Sequence, residues 1–253
     1  MIRAFSVTPL LCFLFASACS GLLAAGPKPT SKKSSISFKL DEGPRTKDTL
    51  EAHLRALKED SDSCILQLEL ALDYLSLAGE QNWGYLTKAV EHLNKVRKYY
   101  PQDPIVLIHL GRAVGARSLD MKPSTLQRLR WARTGFKYMD TAVKLNSTDF
   151  YLRLLRAEAQ LLAHPILRRG KALKEDINML LHFADGTAFD PLPAFQKARF
   201  HLFLGNYQEA AKRSEQAREH WQKAVSLAPG TPFADEATSR LENRFHSLGY
   251  KED

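Results

Sequence analysis

The sequence is short of cysteine, of strand-forming runs and of grouped catalytic side chains, and each shortage removes a class of protein. Of its three cysteines, Cys12 and Cys19 fall in an apolar N-terminal stretch, which leaves only Cys64 for a folded body. A disulfide framework and a cysteine zinc site are therefore excluded. Cys64 opens an apolar row with Leu68, Ala71 and Leu75, the setting of a structural cysteine, since no electropositive pocket marks it as a nucleophile. The histidines (His53, His92, His109, His164, His182, His201, His220 and His246) are scattered, and none falls in a His-Glu-x-x-His pattern. No glycine-rich phosphate loop and no Gly-x-Ser-x-Gly elbow occurs. The expectation is a chain that is not an enzyme and holds no metal or cofactor. No alternating Val/Ile/Thr run is bounded by Asn-Gly or Asp-Gly turns. Leu, Ala, Lys, Arg, Glu and Gln at helical spacing dominate instead, so the fold class is all-α.

The N-terminus carries one early positive charge at Arg3, an apolar run from Ala4 to Ala18, and small residues before Cys19. That pattern is an export signal over residues 1–18. The run is short for a membrane span and is interrupted by Ser6, Thr8 and Pro9. Ala16-Ser17-Ala18-Cys19 resembles the lipobox of bacterial lipoproteins, in which the cysteine carries lipid and becomes the first mature residue. The resemblance implies lipidation at Cys19 and attachment to a membrane; ordinary cleavage before Cys19 or after Ala25, or an uncleaved anchor, are the alternatives. Residues 19–47, with Pro27, Pro29, Lys32-Lys33 and Ser31, Ser34, Ser35 and Ser37, lack the apolar anchors that offset ordering entropy and read as a flexible tether.

From residue 48 to 253 helix signals follow one another. Asp48 and Glu51 mark the start of a short helix, and Asp62 marks one running to Leu77. A helix from Trp83 to Tyr100 shows Ala89, Leu93, Val96 and Tyr100 on one face, and Pro101 ends it. Asp103-Pro104 is an N-cap followed by proline at the first helical position. Ser124 and Gln127 form a capping pair for a helix reaching Leu145, and further helices are expected over Asp149–Leu162 and up to His182. A short apolar helix from Phe195 to Leu204, a turn at Gly205-Asn206 and one long helix over Tyr207–Ala228 make a hairpin. Thr231-Pro232 then opens a last helix with the apolar row Phe233, Ala237, Leu241, Phe245 and Leu248, stopped by Gly249.

In this arrangement the chain resembles the tetratricopeptide repeat family, whose repeats end with a large residue, a small one three later and proline five after that. Trp221, Ala224 and Pro229 match in full, Leu93, Val96 and Pro101 with substitutions, and Met139, Ala142 and Ser147 more loosely. Leu110-Gly111 stands for the family's Leu-Gly, and Gly205, Tyr207 and Ala210 for its turn. The repeat ends lie 46 and 82 residues apart, more than one and two units of about 34 residues. The resemblance implies a right-handed α-solenoid of about four helical hairpins with a C-terminal capping helix. It also implies the binding of other proteins along the concave face lined by first helices.

The chain carries a formal net charge of +8. Fourteen basic and four acidic residues lie between Arg112 and Lys174, so the positive excess belongs to the middle of the array. Arg130, Arg133, Lys137 and Lys144 share one helix stripe that reads as a solvated outer face. Arg112, Arg153 and Arg156 fall on first helices and are the candidate partner-binding residues, since guanidinium suits carboxylates; ion pairs within the array are the alternative. The expected role is a non-enzymatic scaffold of a bacterial envelope that binds protein partners and is held to the membrane through Cys19. Two alternatives stand beside it, a transporter accessory holding a small solute and a basic peripheral protein on anionic lipid. Nucleic acid is not an expected partner.

Overall fold

A computed structural model of the chain describes residues 45–79, 82–163 and 165–247. Cys19, the expected leader, the expected tether as far as residue 44, His164, Leu248 and Gly249 lie outside these residues. The described residues form ten α-helices and two short 3-10 turns, and sequential helices pack in pairs. None of these helices is long and apolar enough to cross a membrane. The chain divides into two compact units, residues 1–156 and 157–253.

The first unit holds α1 (Lys47–Glu59), α2 (Cys64–Leu77), α3 (Gly84–Tyr99), α4 (Pro104–Ala116), α5 (Thr125–Leu145) and the start of α6 (Phe150–Leu161). Each of α1 to α4 packs on the next. Their starts follow the chain's polar punctuation. Asp103 Oδ1 accepts from the amides of Ile105 and Val106 at 2.9 and 3.1 Å, with Pro104 at the first helical position. Ser124 Oγ accepts from the Gln127 amide at 3.3 Å. At the starts of α1 and α2 the cap sits one or two residues from the expected one: Thr46 with Thr49 for α1 and Ser63 for α2. A hydroxyl was the nearer acceptor in both, so Asp48 and Asp62 are not used as caps.

α2 and α4 are buried nearly all round, Leu66 through Ser76 and Val106 through Gly111, as rods flanked on several sides must be. Leu50, Leu68, Leu86, Leu93, Val96, Val106 and Leu110 belong to one core. α5 is one-sided. Ala132, Phe136, Met139 and Val143 are buried, while Arg130, Arg133, Lys137 and Lys144 are exposed, so the basic stripe is a solvent-facing one.

Three glycines set how closely α4 and α5 approach. A Cβ on Gly111 would lie 2.6 Å from Met139 Cγ and 2.7 Å from the Gly135 carbonyl oxygen. One on Gly135 would lie 2.6 Å from the Gly111 oxygen and 2.7 Å from the Gly115 Cα. Backbone thus packs on backbone, with the Met139 side chain closing the gap.

The second unit holds the rest of α6, α7 (Gly170–Ala184), α8 (Ala194–Ala210), α9 (Ser214–Leu227) and α10 (Pro232–Ser247). α8 packs on α9 and both pack on α10. Thr231 Oγ1 accepts from the Ala234 amide at 3.4 Å, ahead of Pro232. The hairpin here differs from the expected one. Gly205 is not a turn but lies inside α8, where a Cβ would fall on the Trp221 indole. The turn comes at Ala211–Arg213, with Lys212 in the left-handed region at φ 61°. The expected unbroken helix over Tyr207–Ala228 is therefore two. α9 has 14 residues, the same as α2, so the single long helix expected there is absent. The apolar spacing from Tyr207 to Ala228 misled because Ala210 is exposed, and the buried members, Ala217, Trp221, Ala224 and Ala228, all lie beyond the turn.

Gly135→Ala forces two backbones apart and should destabilise the chain by more than about 2 kcal/mol. Gly170→Ala, with nothing within 4 Å of the added methyl, should change stability by no more than about 0.5 kcal/mol. Urea unfolding of the two variants checks the pair; equal midpoints would remove the close approach as a constraint.

Candidate functional site

Polar side chains cluster on the even-numbered helices, and each cluster is built by residues far apart in sequence. In the first unit, Arg45 precedes α1 and is buried against α2. Its Nη1 lies 2.6 Å from Glu69 Oε2 and 2.9 Å from Asp73 Oδ1. The other Asp73 oxygen meets His53 Nδ1 of α1 at 2.6 Å. Asp73 is fully buried, so two partners divide its charge. Burial works to lower the Arg45 pKa, but Glu69 and Asp73 outweigh it and raise it. The hydrogen bond to Asp73 raises the His53 pKa against its partial burial. Arg45, which falls within the expected tether of residues 19–47, is buried and paired here.

Across α2, His92 Nδ1 lies 2.6 Å from Gln67 Oε1 and its ring stacks on Tyr74 at 5.6 Å. Burial, with Lys95 adding, lowers its pKa to about 4, so it is the neutral donor to Gln67. Cys64 is half-buried against the core, and burial followed by Asp62 and Asp60 pushes its thiol pKa up. That is the setting of a packed thiol rather than a nucleophile.

The three candidate arginines have different surroundings. Arg156 is 8% exposed, and its Nη1 meets Asp140 of α5 at 3.0 Å. Arg153 Nε donates to the Ser147 carbonyl at 2.6 Å, in the corner between α5 and α6. Arg156 therefore ties α6 to α5, and Arg153 ties α6 to the loop between them. Arg112 is half-buried on α4 with Nη1 3.4 Å from His109 Nδ1, and the His109 ring lies 6.1 Å from that of Tyr151 on α6. Each of the three expected residues thus has a neighbour within the chain: Asp140 for Arg156, the Ser147 carbonyl for Arg153 and His109 for Arg112.

In the second unit Arg199 of α8, 2% exposed, makes a two-pronged pair with Glu158 of α6, Nε to Oε1 at 2.7 Å and Nη2 to Oε2 at 2.6 Å. Its guanidinium also lies over Phe233 of α10 at 5.4 Å. Asn206 Oδ1 accepts from the Trp221 indole N–H at 3.1 Å, and the Asn206 amide is left to donate to Glu236 of α10. Burial raises the Glu236 pKa to about 7; Arg240, 3.4 Å away, and Asn206 lower it, while Glu158 adds to the rise. Alongside, His201 and His220 oppose their Nδ1 atoms at 3.1 Å across α8 and α9. One must donate and the other accept, so they cannot both carry a second proton, and burial lowers both pKa values, that of His201 to about 4. No group of three or more metal-ligating side chains occurs among the described residues.

These clusters escaped sequence reading because their members are 15 to 41 positions apart. The one usable signal was a charged residue at a core register position, as with Glu69, Asp73 and Arg199.

Glu236 yields a pH dependence. Its folded-state pKa of about 7 lies above the ordinary 4.5, so its contribution to stability is full below pH 4.5 and is lost as pH rises through 7. Glu236→Gln keeps the neutral form's shape. At pH 8 it should be more stable than the parent by on the order of 2 kcal/mol, with the difference gone at pH 4.5. Thermal unfolding at the two pH values checks this, and a variant less stable than the parent at pH 8 would contradict it.

Compared with known proteins, the chain matches no family profile and no curated sequence.

Proposed function

We propose that the chain is a non-enzymatic, protein-binding scaffold of a bacterial envelope, built as a tetratricopeptide-like right-handed solenoid and held to a membrane through lipid on Cys19. Two observations support the repeat reading. In both the α4–α5 and α8–α9 pairs a glycine of the first helix meets a large side chain of the second, Gly111 with Met139 and Gly205 with Trp221. Aligning Gly205 with Gly111 also gives a better repeat than the turn at Tyr207 and Ala210, since Leu110-Gly111 and Leu204-Gly205 then hold the same position.

The observation that carries the binding reading is the contact between α4 and α6, both first helices, through His109 and Tyr151 with Arg112 one turn along α4. An arginine and a tyrosine, both half-buried and both neighbours of His109, have the composition of an interface anchor, where guanidinium and aromatic surface desolvate together. Arg112 and Tyr151 then meet a carboxylate-bearing segment of the partner, while Arg153 and Arg156 hold α6 against α5.

Arg112→Glu with Tyr151→Ala should lower partner capture from an envelope extract at least about tenfold, which corresponds to loss of about 1.4 kcal/mol or more. Arg153→Gln, checked in parallel, should leave capture within about twofold, the size of an effect on a residue outside the contact. Unchanged capture by the double variant would refute the groove.

A further inference from the structure

We propose that the outer face of α5 is a docking surface for an anionic phospholipid bilayer. Arg130, Arg133, Lys137 and Lys144 recur at steps of three, four and seven residues along this helix, which keeps them on one side, and all four are exposed. At 1.5 Å per residue the stripe is about 21 Å long. None of the four belongs to an ion pair among the described residues. The only acid of α5, Asp140, sits at the stripe's edge with its carboxylate 3.0 Å from Arg156. The opposite side of the helix is fixed in the core by Ala132, Phe136, Met139 and Val143, so the basic face cannot turn inward.

Charge complementarity alone fits any polyanion, and the apolar neighbours decide between them. Leu126, one turn before Arg130, is 59% exposed, and Met121 just ahead of the helix is 73% exposed. Two bare apolar side chains at the end of a basic stripe suit the headgroup–acyl boundary, where cations meet phosphate and the apolar pair inserts. Nucleic acid would use aromatic platforms instead. The nearby rings are covered by cations, Trp131 by Arg117 at 4.2 Å and Tyr138 by Arg97 at 5.4 Å. The surface is independent of Arg112 and Tyr151, so lipid docking and partner capture can fail separately.

The test is co-sedimentation of the full chain, carrying Cys19→Ser to exclude an acyl anchor, with vesicles of phosphatidylcholine alone or with 30 mol% phosphatidylglycerol (roughly the anionic share that gives a strong surface potential). The readout is the ratio of partitioning onto anionic over neutral vesicles, in which any binding by the apolar leader cancels. Changing Arg130, Arg133, Lys137 and Lys144 together to glutamine should lower this ratio at least about fiftyfold, at roughly fivefold per basic residue. Met121→Ser with Leu126→Ser should lower binding to anionic vesicles several-fold. Should the quadruple variant lose its helical circular dichroism, the Arg133→Gln/Lys137→Gln pair decides, with an expected loss of at least about tenfold. An unchanged ratio overturns the proposal. So does an equal loss from Lys171→Gln with Lys174→Gln on α7, or tighter α5-dependent binding to a DNA duplex than to the vesicles.

Discussion

Close approach of helix backbones is the constraint on which the pairing depends. Between α4 and α5 it is met by Gly111, Gly115 and Gly135, and between α8 and α9 by Gly205 under Trp221. Removing a side chain from one helix lets the other come near enough for the remaining bulk, Met139 or the indole, to fill the seam at interior density. The same device in both units explains why unlike sequences give like pairs. The burial of the first helices has a separate cause, since α2, α4 and α8 each have more than one neighbouring helix.

Helices buried so completely must still place their polar residues, and the chain does so by pairing charges across long sequence separations. Arg45 with Glu69 and Asp73, and Arg199 with Glu158, each neutralise a charge that would be costly alone in the interior. Glu236 is compensated less completely by Arg240 and Asn206, and that is why its carboxyl holds a proton to about pH 7. The pairs act as ties between helices: Arg45 fastens the segment before α1 to α2, and Arg156 fastens α6 to α5.

The helical architecture was legible where local chemistry dictates it. Asp103-Pro104, Ser124 and Thr231-Pro232 mark helix starts because caps and proline act within one turn. The basic stripe of α5 was legible for the same reason, being a periodic pattern on one helix. The turn between α8 and α9 was not. Ala211-Lys212-Arg213 contains no residue that favours a left-handed backbone, and the packing of Gly205 on Trp221 decides the register instead. A glycine can end a helix or admit a neighbour, and sequence alone did not distinguish the two. Of the candidate site, the three arginines Arg112, Arg153 and Arg156 were legible as residues, but their neighbours were not, because helix number says nothing of which way a side chain turns: His109 for Arg112, the Ser147 carbonyl for Arg153 and Asp140 for Arg156. Tyr151, Arg45 and Glu236 depend on partners from other helices and carried no local signal.

Together these features describe a chain whose stability comes from contacts between neighbouring helices, and we have proposed that the α4–α6 face and the outer face of α5 meet other molecules. On this account the first faces a protein and the second a membrane. The most direct measurement is site-specific photocrosslinking in intact cells, with the reactive group at position 151 and, as a control, at the exposed position 222 of α9. The account predicts a discrete protein adduct from position 151 that is lost with Arg112→Glu and absent from position 222. No adduct from position 151, or the same adduct from both positions, would contradict it.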